Sequence, residues 1–142
     1  MTRSVSRSVL INAPADKIFA VLSDARRHPE FDGSGSVKAS MKAPDTLSMG
    51  AKFGMRMRIG VPYVITNEVV EFQQDTVIAW QHFGKHIWRY ELTPEGMGTR
   101  VTESFDWGSS RSPAFIEKMK YPAKNAVSME KTLVRLKALL EE

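Results

Sequence analysis

Three polar side chains fall where an apolar strand face would bury them: Arg7, His82 and Glu103. Arg7 alternates with Val5, Val9 and Ile11; His82 with Ile78 and Trp80; Glu103 with Val101, Phe105 and Trp107. A buried carboxylate is costly unless it is paired or neutralised. Arg7 or His82 is the natural partner for Glu103. Such a pair is either a polar anchor for a ligand or a general acid/base. The competing reading is a strand end pointing into solvent; it fits His82, which closes its strand, better than Glu103, which sits mid-strand. The other histidines read differently. His28, beside Pro29, suits the surface or a helix cap, and His86 starts a strand and suits an exposed position. His82 and His86 straddle a turn, but two ligands make a poor metal site, and no histidine pair has ligand spacing with a carboxylate, so no metal is expected. Gly33-Ser34-Gly35 lacks the strand-to-helix context of a phosphate loop. Ser109, Ser110 and Ser112 lie in no nucleophile elbow. With no cysteine in 142 residues, disulfides, thiolate metal sites and cysteine nucleophiles are excluded.

These residues must be positioned by strands. Ser4 to Ile11 alternates and is ended by Asn12-Ala13-Pro14. Pro14 suits a first helical turn, with Asp16 near the positive end of the helix dipole. Ile18, Phe19, Val21 and Leu22 form that helix's buried side. Asp24 can cap a second short helix from Ala25 to Phe31, ended by Gly33 and Gly35. From Val37 the period changes from helical to two. Val37 to Met41 alternates, Pro44 to Gly50 is a loop, and Phe53, Met55, Met57 and Ile59 alternate with Lys52, Gly54, Arg56 and Arg58. The methionines are expected inside and the arginines in water. Gly60-Val61-Pro62 turns the chain. Tyr63 to Phe72 has two competing apolar parities, which a bulge would reconcile. Thr76 to His82, His86 to Leu92 and Thr99 to Trp107 complete a hairpin succession, the last two joined by the glycine-rich Pro94 to Gly98.

The C-terminal stretch then reads as the element this sheet receives. Met119, Pro122, Ala126, Met129, Leu133, Leu136 and Leu140 recur at steps of three and four, one face of a helix. Ser112-Pro113 is a start signal and Pro122 a breaker, giving a short piece, 113–121, and a main helix from about Pro122 to Glu141. At ~1.5 Å per residue that helix is roughly 30 Å long, the length of a strand of about nine residues. The expected class is α+β: a curved antiparallel sheet of seven strands, two short helices between strands one and two, and the long terminal helix against the sheet's apolar face.

At 142 residues, 42% hydrophobic and 25% charged, one domain with a real core is expected, spanning residues 1–142. No apolar run approaches the ~20 residues of a membrane span, and the N-terminus lacks a signal-peptide core, so no integral membrane segment and a cytoplasmic location are expected. The net charge of +4 is scattered without aromatic interleaving, which argues against a nucleic-acid partner.

The expected inner face is rich in large side chains. Met55, Met57, Tyr63 and Trp80 come from the middle strands; Trp88, Tyr90, Phe105 and Trp107 from the last two; Phe115 and Met119 from the helical region. With His82 and Glu103 these are the candidate ligand contacts. Aromatics on strands usually form a solid core. Aromatics and methionines also line apolar hollows that take small molecules. Pattern alone leaves both open.

Several short stretches decide between them by resemblance. Ile11-Asn12-Ala13-Pro14-Ala15 followed by Ile18, Phe19 and Leu22-Ser23-Asp24 resembles the start of the START-like (SRPBCC) superfamily. Val70-Glu71-Phe72, Trp88-Arg89-Tyr90-Glu91-Leu92-Thr93-Pro94, Gly98-Thr99-Arg100-Val101-Thr102-Glu103 and the leucines of 133–140 are similar to its polyketide cyclase/dehydrase and lipid-transport branch. That resemblance implies a helix-grip fold and a cavity between sheet and helix for hydrophobic ligands. It brings no single catalytic motif and no cofactor. Three functions follow: a binding protein for a hydrophobic, ring-containing small molecule, acting as monomer or homodimer; a cyclase-type enzyme using Glu103 or His82; and a protein-interaction module with a vestigial cavity.

Overall fold

The computed structural model describes residues 3–33, 37–40, 46–59, 61–82 and 84–141, excepting the side chains of 37–40, 55–59, 62 and 64. The chain runs β1 (Ser4–Ile11), α1 (Ala15–Leu22), a 3-10 turn (Ala25–Arg27), α2 (His28–Phe31), β2 (Val37–Ser40) and β3 (Lys52–Ile59). It continues through β4 (Val61–Gln73), β5 (Val77–Gln81), β6 (Ile87–Glu95), β7 (Gly98–Asp106), α3 (Pro113–Lys118) and α4 (Tyr121–Leu140). All strand pairs are antiparallel, in the order β1-β7-β6-β5-β4-β3-β2. Six strands of five residues or more make the area of the curved sheet, and β2, with four residues, is a short addition at the β3 edge.

Local chemistry accounts for the boundaries. Asp24 Oδ1 accepts from the Arg26 amide at 3.1 Å and starts the 3-10 turn. The expected bulge in β4 falls between Val69 and Glu71. It lets Ile65, Asn67 and Val69 share a parity with Tyr63 while Phe72 still reaches Phe19, ring to ring at 5.5 Å. β3 and β4 stay paired up to Ile59 and Val61, so Val61 and Pro62 belong to the strand rather than to the turn. The expected inside position of Met55 and Met57 falls outside the described side chains; their backbones pair with Ile65 and Tyr63. The break between α3 and α4 is made by Lys120, left-handed at φ 60°, with Pro122 sitting compatibly in the first turn of α4.

The helix α4 packs against β1, β7, α2 and α3. Its buried residues are Ala126, Met129, Thr132, Leu133 and Leu136. Leu133 and Leu136 share one cluster with Ile11, Ile18, Phe19 and Leu22. Met129 and Ala126 belong to a second, with Phe105, Trp107 and Ile116. The end of α2 is pinned close to α4: the Gly33 amide donates to Thr132 Oγ1 at 2.8 Å, and a Cβ on Gly33 would lie 2.4 Å from the Thr132 nitrogen. Among the described residues, no helix is long and apolar enough to cross a membrane.

Candidate functional site

Between the sheet and the N-terminal half of α4 lies a hollow of about 660 Å³. Its floor follows from strand register. Glu103 pairs with Tyr90; one step along, Phe105 pairs with Trp88 and Trp88 with Trp80. One step further, extending the same registers places His86 and His82, just beyond the ends of β6 and β5, beside Asn67 on β4, with the His82 amide donating to the His86 carbonyl at 3.0 Å. The floor therefore has three rungs, each two residues beyond the last. The middle rung is aromatic: Trp88 meets Phe105 at 4.8 Å between ring centroids, and Trp80 reaches back to Tyr90 on the first rung at 5.6 Å. The helix α2 contributes His28, Phe31 and Asp32, while α4 contributes Tyr121, Asn125, Ser128, Met129 and Thr132.

At the first rung, the Tyr90 hydroxyl donates to Glu103 Oε2 at 2.9 Å. Glu103 Oε1 has no partner, although the residue is only 3% exposed. Burial, opposed by the Tyr90 bond and helped by the Asp32 charge, pushes the Glu103 carboxyl up to about 8. Burial and the neighbouring Glu103 push the Tyr90 phenol well above its usual range. At neutral pH Glu103 is thus mainly a neutral acid, able to donate a hydrogen bond or a proton. A carboxyl poised there suits general acid/base work at neutral pH.

His28 is buried, and His82 and His86 are half-buried. His28 Nε2 donates to the Leu22 carbonyl at 2.9 Å, and the ring stacks on Trp80 at 4.9 Å. Burial holds its pKa down at about 4. The rings of His82 and His86 stack at 4.6 Å. Burial lowers both, His86 to about 4 with the His82 charge adding to the effect. No group of three or more potential metal ligands occurs among the described residues.

Of the sequence candidates, Tyr63, Trp80, His82, Trp88, Tyr90 and Glu103 line the hollow, as do Phe105 and Phe115. Phe115 stands at the mouth, 54% exposed and 6.5 Å from the Tyr121 ring. Trp107 and Met119 do not line it. Trp107 is drawn under α3, where its indole donates to Glu117 Oε2 at 2.8 Å, and Met119 caps the end of α3, 40% exposed. Neither expected partner reaches Glu103: Arg7 is bound to Glu130 at 3.0 Å and His82 is two rungs away. The actual partner is Tyr90, its neighbour across the β6–β7 pair. His28 and His86 are corrections, since both line the hollow, His28 buried and His86 half-buried. Asn67 and the polar side of α4, Asn125, Ser128 and Thr132, carried no sequence signal, because an apolar periodicity hides the stripe beside it.

The comparisons bear on this arrangement. The model of the family described as polyketide cyclase / dehydrase and lipid transport matches residues 2–141. The uncharacterized protein Rv0088 of Mycobacterium tuberculosis is 40% identical over 140 residues, covering 93% of this chain and 62% of its own length. The chain thus spans 62% of the curated relatives it matches. Among solved structures, the KanY protein (ms6282) superposes with a TM-score of 0.77 at 18% identity, over 100% of this chain and 99% of its own. CV1439 from Chromobacterium violaceum gives 0.74 at 14% identity, over 99% and 98%. Identities this low speak to fold alone, and the fold is the same in both. With the family model matched over nearly its whole length, the chain belongs to the polyketide cyclase/dehydrase and lipid-transport family.

Proposed function

We propose that the protein binds a hydrophobic, ring-containing small molecule in the hollow between sheet and α4. The observation that carries this reading is the hollow itself: about 660 Å³, with Trp80, Trp88 and Phe105 along its floor and a buried, half-satisfied carboxyl at one end. That volume lies within the ~300–1,000 Å³ of small-molecule sites. An apolar ligand gains about 25 cal/mol for each Å² it hides there. The family description, which includes lipid transport, is consistent with such a ligand.

The test is titration of the intrinsic tryptophan fluorescence with steroids, flavonoids, fatty acids and polyketide-like aromatics, beside native mass spectrometry of freshly purified protein. Quenching or a shift that saturates supports the reading. A flat response across the panel, with no co-purified mass, leaves the protein-interaction module.

A second reading is favoured by one observation, the Glu103 carboxyl held near neutrality by burial with Tyr90 on one oxygen. In that reading the hollow belongs to a cyclase or dehydrase, and Glu103 moves a proton at an enolisable carbon. Glu103→Gln separates the two. A binding protein keeps most of its affinity, whereas an enzyme with Glu103 as its acid/base loses ~10²–10⁴-fold in turnover.

A further inference from the structure

The described residues hold three buried side-chain polar atoms without a hydrogen-bond partner: Glu103 Oε1, Asn67 Oδ1 and His86 Nδ1. All three residues line the hollow. Asn67 is 4% exposed and Glu103 3%. An unsatisfied buried polar group costs ~1–3 kcal/mol, and folded proteins keep few of them. Here they are sorted. Glu103 lies on the first rung of the floor, while His86 and Asn67 lie on the third. The aromatic rung between them has none. The outer rungs are four residues apart along a strand, about 13 Å. The floor is therefore an aromatic strip with unpartnered polar atoms at each end, one at the Glu103 end and two at the other.

The charges lining the strip narrow the chemistry further. Asp32 and Glu103 are its acids, and among the described residues Arg111, on the loop into α3, is its one arginine or lysine. The Arg111 amide donates to the Gly84 carbonyl, beside the His86 end, so among the described lining residues no lysine or arginine stands at the Glu103 end to receive an anion. A flexible chain would also lose rotamer freedom that a rigid ring system does not.

We propose that the hollow takes a rigid, uncharged polycyclic molecule with an oxygen at each end, one on the Glu103 carboxyl and the other on the Asn67 amide and His86 imidazole. This rests on the reading of the hollow as a ligand site. The rings lie along Trp80, Trp88 and Phe105, which stack flat surfaces without reading their edges. The two terminal oxygens satisfy the polar atoms that the fold leaves open, and these set direction and register. A molecule with one oxygen can bind but leaves one end unsatisfied. A fatty acid sets its carboxylate against Glu103 and Asp32.

The experiment uses the full chain and four probes: testosterone, with a ketone and a hydroxyl at opposite ends; its analogue lacking the hydroxyl; androstane, lacking both oxygens; and palmitate. Dissociation constants are read by calorimetry and tryptophan fluorescence. Testosterone is expected to bind tightest, each missing oxygen to weaken binding about tenfold, and palmitate to bind weakest. Asn67→Leu is expected to erase the advantage of the hydroxyl, and Glu103→Met the advantage of the ketone. Each variant is checked against the other end's oxygen, so a misfolded protein is recognised by losing both. Androstane binding as tightly as testosterone overturns the two-ended proposal and leaves the hollow as an unselective apolar site. Palmitate binding tightest overturns it as well. If none of the four binds, the proposal falls together with the ligand-site reading.

Discussion

The C-terminal half of α4 lies on the main core through Leu133 and Leu136, whereas its N-terminal half, beside the buried Ala126 and Met129, borders the hollow. Both halves come from one regular helix, so the helix is not the cause. Leu133 and Leu136 share a cluster with Ile11, Ile18, Phe19 and Leu22, most of them branched aliphatic side chains that can interdigitate. Asn125, Ser128 and Thr132 instead face flat, rigid rings on the floor. Short side chains opposite planar ones leave a gap that neither can close. A buried helical stripe thus becomes core or wall according to what stands opposite, not by its own composition alone.

The sharpest way to break this comparison is to truncate the half that lies on the main core. Leu133→Ala and Leu136→Ala are each expected to cost roughly 2–5 kcal/mol in denaturant unfolding. Losses below about 0.5 kcal/mol at both would place them on a surface and end the distinction.

The next effect is electrostatic. Glu103 has a folded pKa of about 8, raised above its ordinary 4.5, so its contribution to stability is complete below pH 4.5 and is lost as the pH rises through 8. His28, depressed from 6.5 to about 4, acts oppositely: its contribution is complete above pH 6.5 and is lost as the pH falls towards 4. Glu103→Gln should remove the alkaline loss, on the order of a few kcal/mol, and leave the acid limb in place. Unfolding free energies measured from pH 4 to 9 that keep the same alkaline limb in the variant would show that Glu103 is not buried as described.

The smallest effect belongs to the hollow's own wall. Asn125→Ala and Ser128→Ala should change stability by less than about 0.5 kcal/mol, since neither has a packed partner to lose. A cost in the range of the leucine substitutions would erase the difference between the halves.

The fold was legible because its signals are periodic. Ser4–Ile11, the paired parities of β6 and β7 and the α4 leucines follow from alternation and from steps of three and four. The aromatic rung was legible for the same reason. The polar parts of the site were not. His28 looks like a cap beside Pro29, yet it is buried because α2 turns inward against Trp80. Asn67 sits in a strand whose two parities compete until the bulge after Val69 resolves them. The Tyr90–Glu103 bond needs register between two strands, which composition does not state. Arg7 shares the Glu103 register and parity but is long enough to leave for Glu130 on α4.

The central claim is that space exists between α4 and the aromatic rung and that a ligand occupies it. The most direct measurement is to fill that space with Ser128→Phe and to record both unfolding free energy and quenching by the best fluorescence probe. The account predicts stability within about 0.5 kcal/mol of the parent protein, with probe binding abolished. A loss of about 1–3 kcal/mol, the usual result of forcing a ring into a closely packed interior, would contradict it.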